Sequence, residues 1–318
     1  MIRVSHLTKR YGSHAAVSDI SFHIEKGVIY GFLGPNGAGK STTMNIITGC
    51  LSATEGEVLI AGHNIQREPL KAKRHIGYLP EIPPVYMDMT PREYLTFVLG
   101  AKGVKKKDWE GQLANAMEKT DIAHMQHRLI RNLSKGYRQR VGIAQALLGD
   151  PEIIILDEPT VGLDPRQIIE IRTLIRELGK DHTVILSSHI LSEVQSVCDK
   201  VLIMANGKLQ AGDTTENLSR LLSGQARLHL TVKKEMQERA AALLSALPCR
   251  ETVSCTELEN GEVLFTLIPG EEDLREQIFR LFAQNDVALL EMHTRQATLE
   301  DVFLKLTDST EVEEEEKA

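Results

Sequence analysis

Residues 34–41 read GPNGAGKS and fit G-x-x-x-x-G-K-[ST] without deviation. The run follows VIYGFLG (28–34), which reads as a strand, and precedes helical spacing of apolar residues in MNIITGCL (44–51). Gly34, Gly37 and Gly39 let the backbone curl until successive N–H groups point inward at phosphate oxygens, with Pro35, Asn36 and Ala38 completing the loop. Lys40 reaches the terminal phosphates, Ser41 offers a hydroxyl to Mg²⁺, and Thr42 adds a hydroxyl near the α-phosphate. Such a loop works only between the end of a strand and the start of a helix, which restricts the fold of everything around it.

A second polar signal closes an apolar run. In IIILDEPT (153–160) a strand ends in two carboxylates, which is costly unless they meet a cation or water. Asp157 suits Mg²⁺ held through its water shell, and Glu158 is then placed to polarise an attacking water as general base. His189, at the end of ILSSH, is set to touch a γ-phosphate or orient that water. VIYGFLG, EIIILDEP (152–159), HTVILSSH (182–189) and DKVLIMANG (199–207) read as strands, with MNIITGCL and QIIEIRTLIRELGK (167–180) as helices between them. This alternation predicts a largely parallel sheet with function at the carboxyl ends of its strands.

A length of 318 residues predicts roughly two domains at about 100–200 residues each. The formal net charge of −7 argues against wrapping nucleic acid, so no nucleic-acid partner is expected. MIRVSHLTKRYG lacks the apolar core of a signal peptide, and no apolar run approaches the ~20 residues of a membrane span. A cytoplasmic protein is expected, unless a partner carries it to a membrane. Cys50, Cys198, Cys249 and Cys255 form no C-x-x-C pair and read as reduced thiols. KGVKKK (102–107) reads as a solvated basic face.

The pattern shifts near SGQA (223–226), which reads as a linker. RLHLTV (227–232), a helix over 235–247, RETVSCTEL, EVLFTLI, a helix over 271–284 and VALLEMHT then follow. That β-α-β-β-α-β order predicts a small ferredoxin-like α+β domain, closed by a short helical piece, TLEDVFLKLT (298–307). The like-charge tail EVEEEEKA is expected to be disordered.

LSKGYRQR (133–140) opens the helical run VGIAQALLGD. Its Ser and Gly suit either a phosphate at a helix start or an ordinary cap, and the residues alone leave both readings open. With GPNGAGKS, LDE and the terminal His of ILSSH, this stretch resembles the ATP-binding subunits of ABC transporters over residues 1 to about 215. That family usually has LSGGQ there. Lys135 and Tyr137 depart from it, whereas Ser134 and Gly136 are kept. The resemblance implies an α/β P-loop NTPase domain of the ABC ATPase type with a helical subdomain over 1–222, an accessory ferredoxin-like domain over 227–307 and a disordered acidic tail over 308–318.

It further implies that Tyr11 stacks on adenine with Val17 beside it. Ser134 and Gly136 would hold the γ-phosphate of ATP bound to the other subunit of a head-to-tail dimer, and Asp164 of VGLD (161–164) would couple the two sites. IGYLPE puts Glu81 where the family has a glutamine near Mg²⁺ and the permease; the gliding-motility ATPase looks similar there. The C-terminal region resembles the extension of exporter ATPases for drugs, lipids and polysaccharides. The implied function is ATP hydrolysis that drives export through a separate membrane permease, by a homodimer or a heterodimer with a paralogue on the inner face of the membrane. The stretch from Ile82 to about Gly100, with Pro83, Pro84 and Pro91, is the implied permease surface. The alternative, a soluble ABC-type ATPase acting on ribosomes or DNA, usually carries two ATP-binding halves or coiled-coil or zinc insertions, and this chain shows one half and no sustained heptads. No N-K-x-D sequence is present to read guanine.

Overall fold

A computed structural model describes residues 1–221, 227–245, 247, 251–258, 260–269, 273–295 and 303. They fall into two compact units, one over Met1–Thr215 and one within Glu216–Lys305. In the first unit the elements run β1 (Ile2–Tyr11), β2 (His14–Ile24), β3 (Ile29–Leu33), α1 (Lys40–Ile47), β4 (Glu55–Ile60), β5 (His63–Asn64), α2 (Pro69–Lys73) and β6 (Ile76–Leu79). They continue with α3 (Pro91–Ala101), α4 (Trp109–Lys119), α5 (Lys135–Leu147), β7 (Ile153–Leu156), α6 (Pro165–Gly179), β8 (Thr183–Ser188), α7 (Leu191–Val197), β9 (Lys200–Ala205) and β10 (Lys208–Thr214).

The predicted parallel sheet is present. It has six strands in the order β10-β9-β3-β8-β7-β6, and only β10 runs antiparallel to its neighbour. Every residue of β3, β7 and β8 is buried, as expected of strands covered on both faces. A second, antiparallel sheet, β2-β1-β4-β5, was not legible in the sequence. Register shifts interrupt β1, so its apolar residues do not alternate strictly. One core joins both sheets and α1, with Val4 and Leu7 of β1, Phe32 of β3 and Met44 of α1 all buried in it.

Two sequence expectations need correction. The helix expected over 44–51 is Lys40–Ile47, because it starts as soon as the glycine loop ends and Gly49, at φ +68°, terminates it. In KGVKKK, Lys102 is not simply solvated: its ammonium donates to Leu148 O at 2.5 Å at the end of α5, and desolvation pushes its pKa down to about 8.

A short helix, α8 (Thr215–Leu221), precedes the second unit's β11 (Arg227–Lys233), α9 (Gln237–Ser245), β12 (Glu251–Glu257), β13 (Glu262–Ile268), α10 (Arg275–Gln284) and β14 (Leu289–Arg295). The sheet order β12-β13-β11-β14, antiparallel throughout, is the ferredoxin-like arrangement. Leu230, Phe265, Ile278 and Phe282 anchor its separate core. SGQA, all of TLEDVFLKLT except Phe303, and the acidic tail lie outside the described residues. Cys50, Cys198 and Cys255 are free thiols, and Cys249 lies outside the described residues. Among the described residues no helix is long and apolar enough to cross a membrane.

Candidate active site

The loop Gly34–Gly39 joins the end of β3 to the start of α1. Gly37 and Gly39 have φ of +84° and +98°, a region open to glycine at little cost. A Cβ at Gly39 would lie 2.6 Å from Ala16 O, so the backbone there is also too close to its neighbour for any side chain. Lys40 is buried, and its ammonium donates to Gly34 O at 2.7 Å and Pro35 O at 3.1 Å, which folds the side chain back along the loop. Desolvation holds this ammonium below the ordinary lysine pKa, and the carboxylates of Glu158, Asp157 and Glu81 pull the other way.

The two carboxylates at the end of β7 are nearly enclosed, Asp157 at 3% exposure and Glu158 at 7%. Asp157 Oδ1 accepts from Ser41 Oγ at 3.2 Å and from Ser187 Oγ at 2.5 Å. Glu158 stands at φ +48°, an uncommon conformation for a side-chain-bearing residue. Its N–H donates to Ser187 Oγ at 2.9 Å. Its Oε2 lies 3.0 Å from His189 Nδ1, and its Oε1 lies 3.8 Å from Lys40 Nζ.

Lys40, Ser41, Glu158 and His189 border one cleft of about 500 Å³, together with Tyr11, His14, Ala16, Asn36, Thr42 and Glu81, and Asp157 is tied to it by its hydrogen bond with Ser41. The expectation for Val17 changes: it is fully buried, its side chain faces Gly39, and Ala16 lines the wall instead. The slipped register of β1 and β2 around Lys9↔Val17 turns that position inward. Ser187 was missed by sequence reasoning, although a polar side chain in an apolar strand two residues before His189 was a usable signal.

Ser134, Gly136 and Asp164 are elsewhere. They line a different recess of about 230 Å³ with Tyr137, Arg166 and Gln167, and share no lining residue with the cleft. Ser134 caps α5 by accepting from the Tyr137 N–H, and Asp164 caps α6 by accepting from the Gln167 N–H. A Cβ at Gly136 would meet Gln167 Cδ at 2.7 Å, so the two helix starts abut. The Lys135 ammonium lies over Gly162 of the intervening VGLD loop. Within one chain, then, the polar groups divide into a cleft lined by Lys40, Ser41, Glu158 and His189 and a separate recess lined by Ser134 and Gly136.

Comparison with known proteins places the chain in a family. The ABC transporter family model matches residues 17–161. The bacitracin transport ATP-binding protein BcrA of Bacillus licheniformis is 34% identical over 308 residues, 96% of this chain and 97% of that protein. The linearmycin resistance ATP-binding protein LnrL of Bacillus subtilis is 32% identical over 98% of this chain and 99% of its own length. Among solved structures, an ATP-binding subunit of an ABC transporter is similar at a TM-score of 0.64 and 30% identity, covering 70% of this chain and 93% of that one. A dimeric bacterial ABC transporter cassette is similar at a TM-score of 0.62 and 25% identity, covering 67% and 98%. The chain belongs to the ABC transporter family, as one of its ATP-hydrolysing, ATP-binding subunits.

Proposed function

We propose that the chain binds MgATP in the Gly34–Ser41 cleft and, paired with a second ATP-binding subunit, drives export through a separate membrane permease. The observation that carries this reading is the separation just described. Lys40, Ser41, Glu158 and His189 line one cleft, with Asp157 hydrogen-bonded to Ser41, while Ser134 and Gly136 line another, so a second subunit is the source of a contact from Ser134 and Gly136 to the same nucleotide. That second subunit is either another copy of this chain or a paralogue.

The loop N–H groups and Lys40 hold the phosphates, and Tyr11 with Ala16 faces the adenine. Ser41 and Asp157 would hold Mg²⁺, with Glu81 at the rim. An oxygen-only set suits that ion, and the Ser41–Asp157 hydrogen bond already brings two donors together. Among the described residues no cluster of three His, Cys, Asp or Glu side chains stands ready for a metal, so phosphate oxygens and water would complete the shell. Bound there, Mg²⁺ would offset charge on the phosphates. Glu158 takes the proton of the attacking water as its oxygen bonds to the γ-phosphorus and the bond to ADP breaks, and His189 steadies the γ-phosphate. In the dimer, Ser134 and Gly136 close on the partner's γ-phosphate and Asp164 links the two sites.

Residues 1–222 act as the ATP-binding domain and 227–307 as an accessory domain, with 308–318 a solvated tail. The permease docks on the segment from Ile82 to Gly100, which exposes Ile82, Tyr86, Met87 and Phe97. The subunit works at the inner face of the membrane. Export is supported by the relatives, which include a lantibiotic transport ATP-binding protein of Streptococcus pyogenes, 36% identical over 71% of this chain. Similarity to transport and resistance proteins along 96–98% of the chain favours this reading over action on ribosomes or DNA. Co-expressed with its permease, the chain should raise a host's resistance to bacitracin or a related antibiotic, and Glu158→Gln should remove the gain. Resistance that persists without hydrolysis would overturn the export reading.

A further inference from the structure

Beside the catalytic cleft lies a buried polar knot centred on a carboxylate that none of the sequence motifs contains. Glu193, in α7, is 4% exposed. Its Oε2 accepts from Thr160 Oγ1 at 2.6 Å and from Ser188 Oγ at 2.9 Å. Thr160 follows Glu158 by two residues, and Ser188 immediately precedes His189. One carboxylate oxygen therefore fastens the loop that carries Glu158 to the strand end that carries His189. Among the described residues Glu193 Oε1 has no hydrogen-bond donor, and it faces Arg172 Nη2 of α6 at 3.7 Å. Burying a carboxyl group to tie two hydroxyls is expensive, and a solely structural core would use apolar side chains there more cheaply.

We propose that Glu193 is a positioning residue for ATP hydrolysis, holding Glu158 and His189 in register through Thr160 and Ser188. The inference rests on the roles read above for Glu158 and His189. Glu158 needs support on both sides because its φ of +48° is sparsely populated and its carboxylate must stay beside His189. Ser187 supports it through the Glu158 N–H, and Glu193 supports it from the opposite flank through Thr160. A displacement of about 1 Å in such a pair is enough to lower turnover on the order of a hundredfold.

The experiment compares Glu193→Ala with Glu193→Gln in the full chain, measuring thermal unfolding, nucleotide affinity and single-turnover hydrolysis. Both variants lose the ion pair with Arg172, so both should lose stability. Only the glutamine keeps a carbonyl that can accept from both hydroxyls. Glu193→Ala should lower the hydrolysis rate at least about tenfold with ATP affinity kept within about threefold, while Glu193→Gln restores most of the rate. Equal rates in the two variants, or a wild-type rate in the alanine variant, would overturn the proposal. If Glu193→Ala fails to fold, Thr160→Val and Ser188→Ala each remove one anchored hydroxyl, and wild-type rates in both would equally overturn it. Glu158→Gln, run in parallel, separates the two levels. A hydrolysing Glu158→Gln would sink the base assignment and this inference with it, whereas an inert one beside an active Glu193→Ala would sink this inference alone.

Discussion

At the scale of single residues, the site is a balance of buried charge. Lys40 sits between the loop carbonyls of Gly34 and Pro35 and the carboxylates of Asp157 and Glu158. Burial lowers its pKa in the free protein, and an arriving polyphosphate would raise it. ATP binding should therefore take up a proton at alkaline pH, and affinity should fall as pH rises through the Lys40 pKa of the free protein. Calorimetry in buffers of different ionisation enthalpy would read this; proton release on binding would contradict it. Glu158→Gln keeps the shape of the side chain but cannot accept a proton from water. Turnover should fall by on the order of 10²–10⁴ with ATP still bound, as measured by phosphate release and nucleotide titration. GPNGAGKS, Asp157, Glu158 and His189 were legible because each stands at a strand end, where a polar residue interrupts an apolar run. Val17 was not, since whether a strand residue faces a cleft depends on register, and β1 slips its register more than once.

At the scale of elements, α5 packs closely against β6. A Cβ at Gly77 would lie 2.0 Å from Ala146 O, and one at Gly142 would lie 2.6 Å from Leu79 Cδ1 and 3.1 Å from Pro83 Cβ. The helix that begins at the signature thus rests directly on the strand and turn that lead to Glu81. Gly77→Ala should destabilise the chain by about 2–3 kcal/mol through overpacking, as read from urea unfolding. A change below half that would mean that the helix can shift away. Thr90 and Glu93 form a capping box at the start of α3, with Pro91 at the first helical position. Thr90→Ala should cost about 1 kcal/mol in the same assay and leave ATP affinity unchanged. The helices α5 and α6 and the parallel strands β3, β7, β8 and β9 could be read from the sequence, and the edge strand β6 was missed. The sheet β2-β1-β4-β5 could not, because bulges break its alternation and β1 pairs with β4, which is distant in sequence.

At the scale of the whole molecule, one chain holds the phosphate-loop cleft and a separate recess lined by Ser134 and Gly136. In the proposed dimer, Glu158→Gln with MgATP should shift from monomer to dimer mass in light scattering, and chelation of Mg²⁺ should reverse the shift. Ser134→Arg places a bulky cation at the start of α5 and should abolish it. A monomer that still binds ATP would mean that closure needs the permease or a different partner. LSKGYRQR shows why scale matters: the Ser134 hydroxyl that caps α5 is the same group proposed above to contact a partner's phosphate.

What the sequence alone determined were the features written in contiguous residues: the phosphate loop, the carboxylates after an apolar strand, the alternation of β3, α1, β7, α6, β8 and β9, and the order of strands and helices in the C-terminal unit. These follow from local backbone freedom and from the period of apolar side chains. Tertiary structure alone decided that Ser187 bridges Asp157 to the Glu158 backbone, that Glu193 ties Thr160 to Ser188, and that Ser134 and Gly136 face away from the chain's own phosphate loop. The physical reason is that hydrogen bonds between residues some thirty positions apart leave no period in the sequence, and they exist only once the sheet has brought its strand ends together.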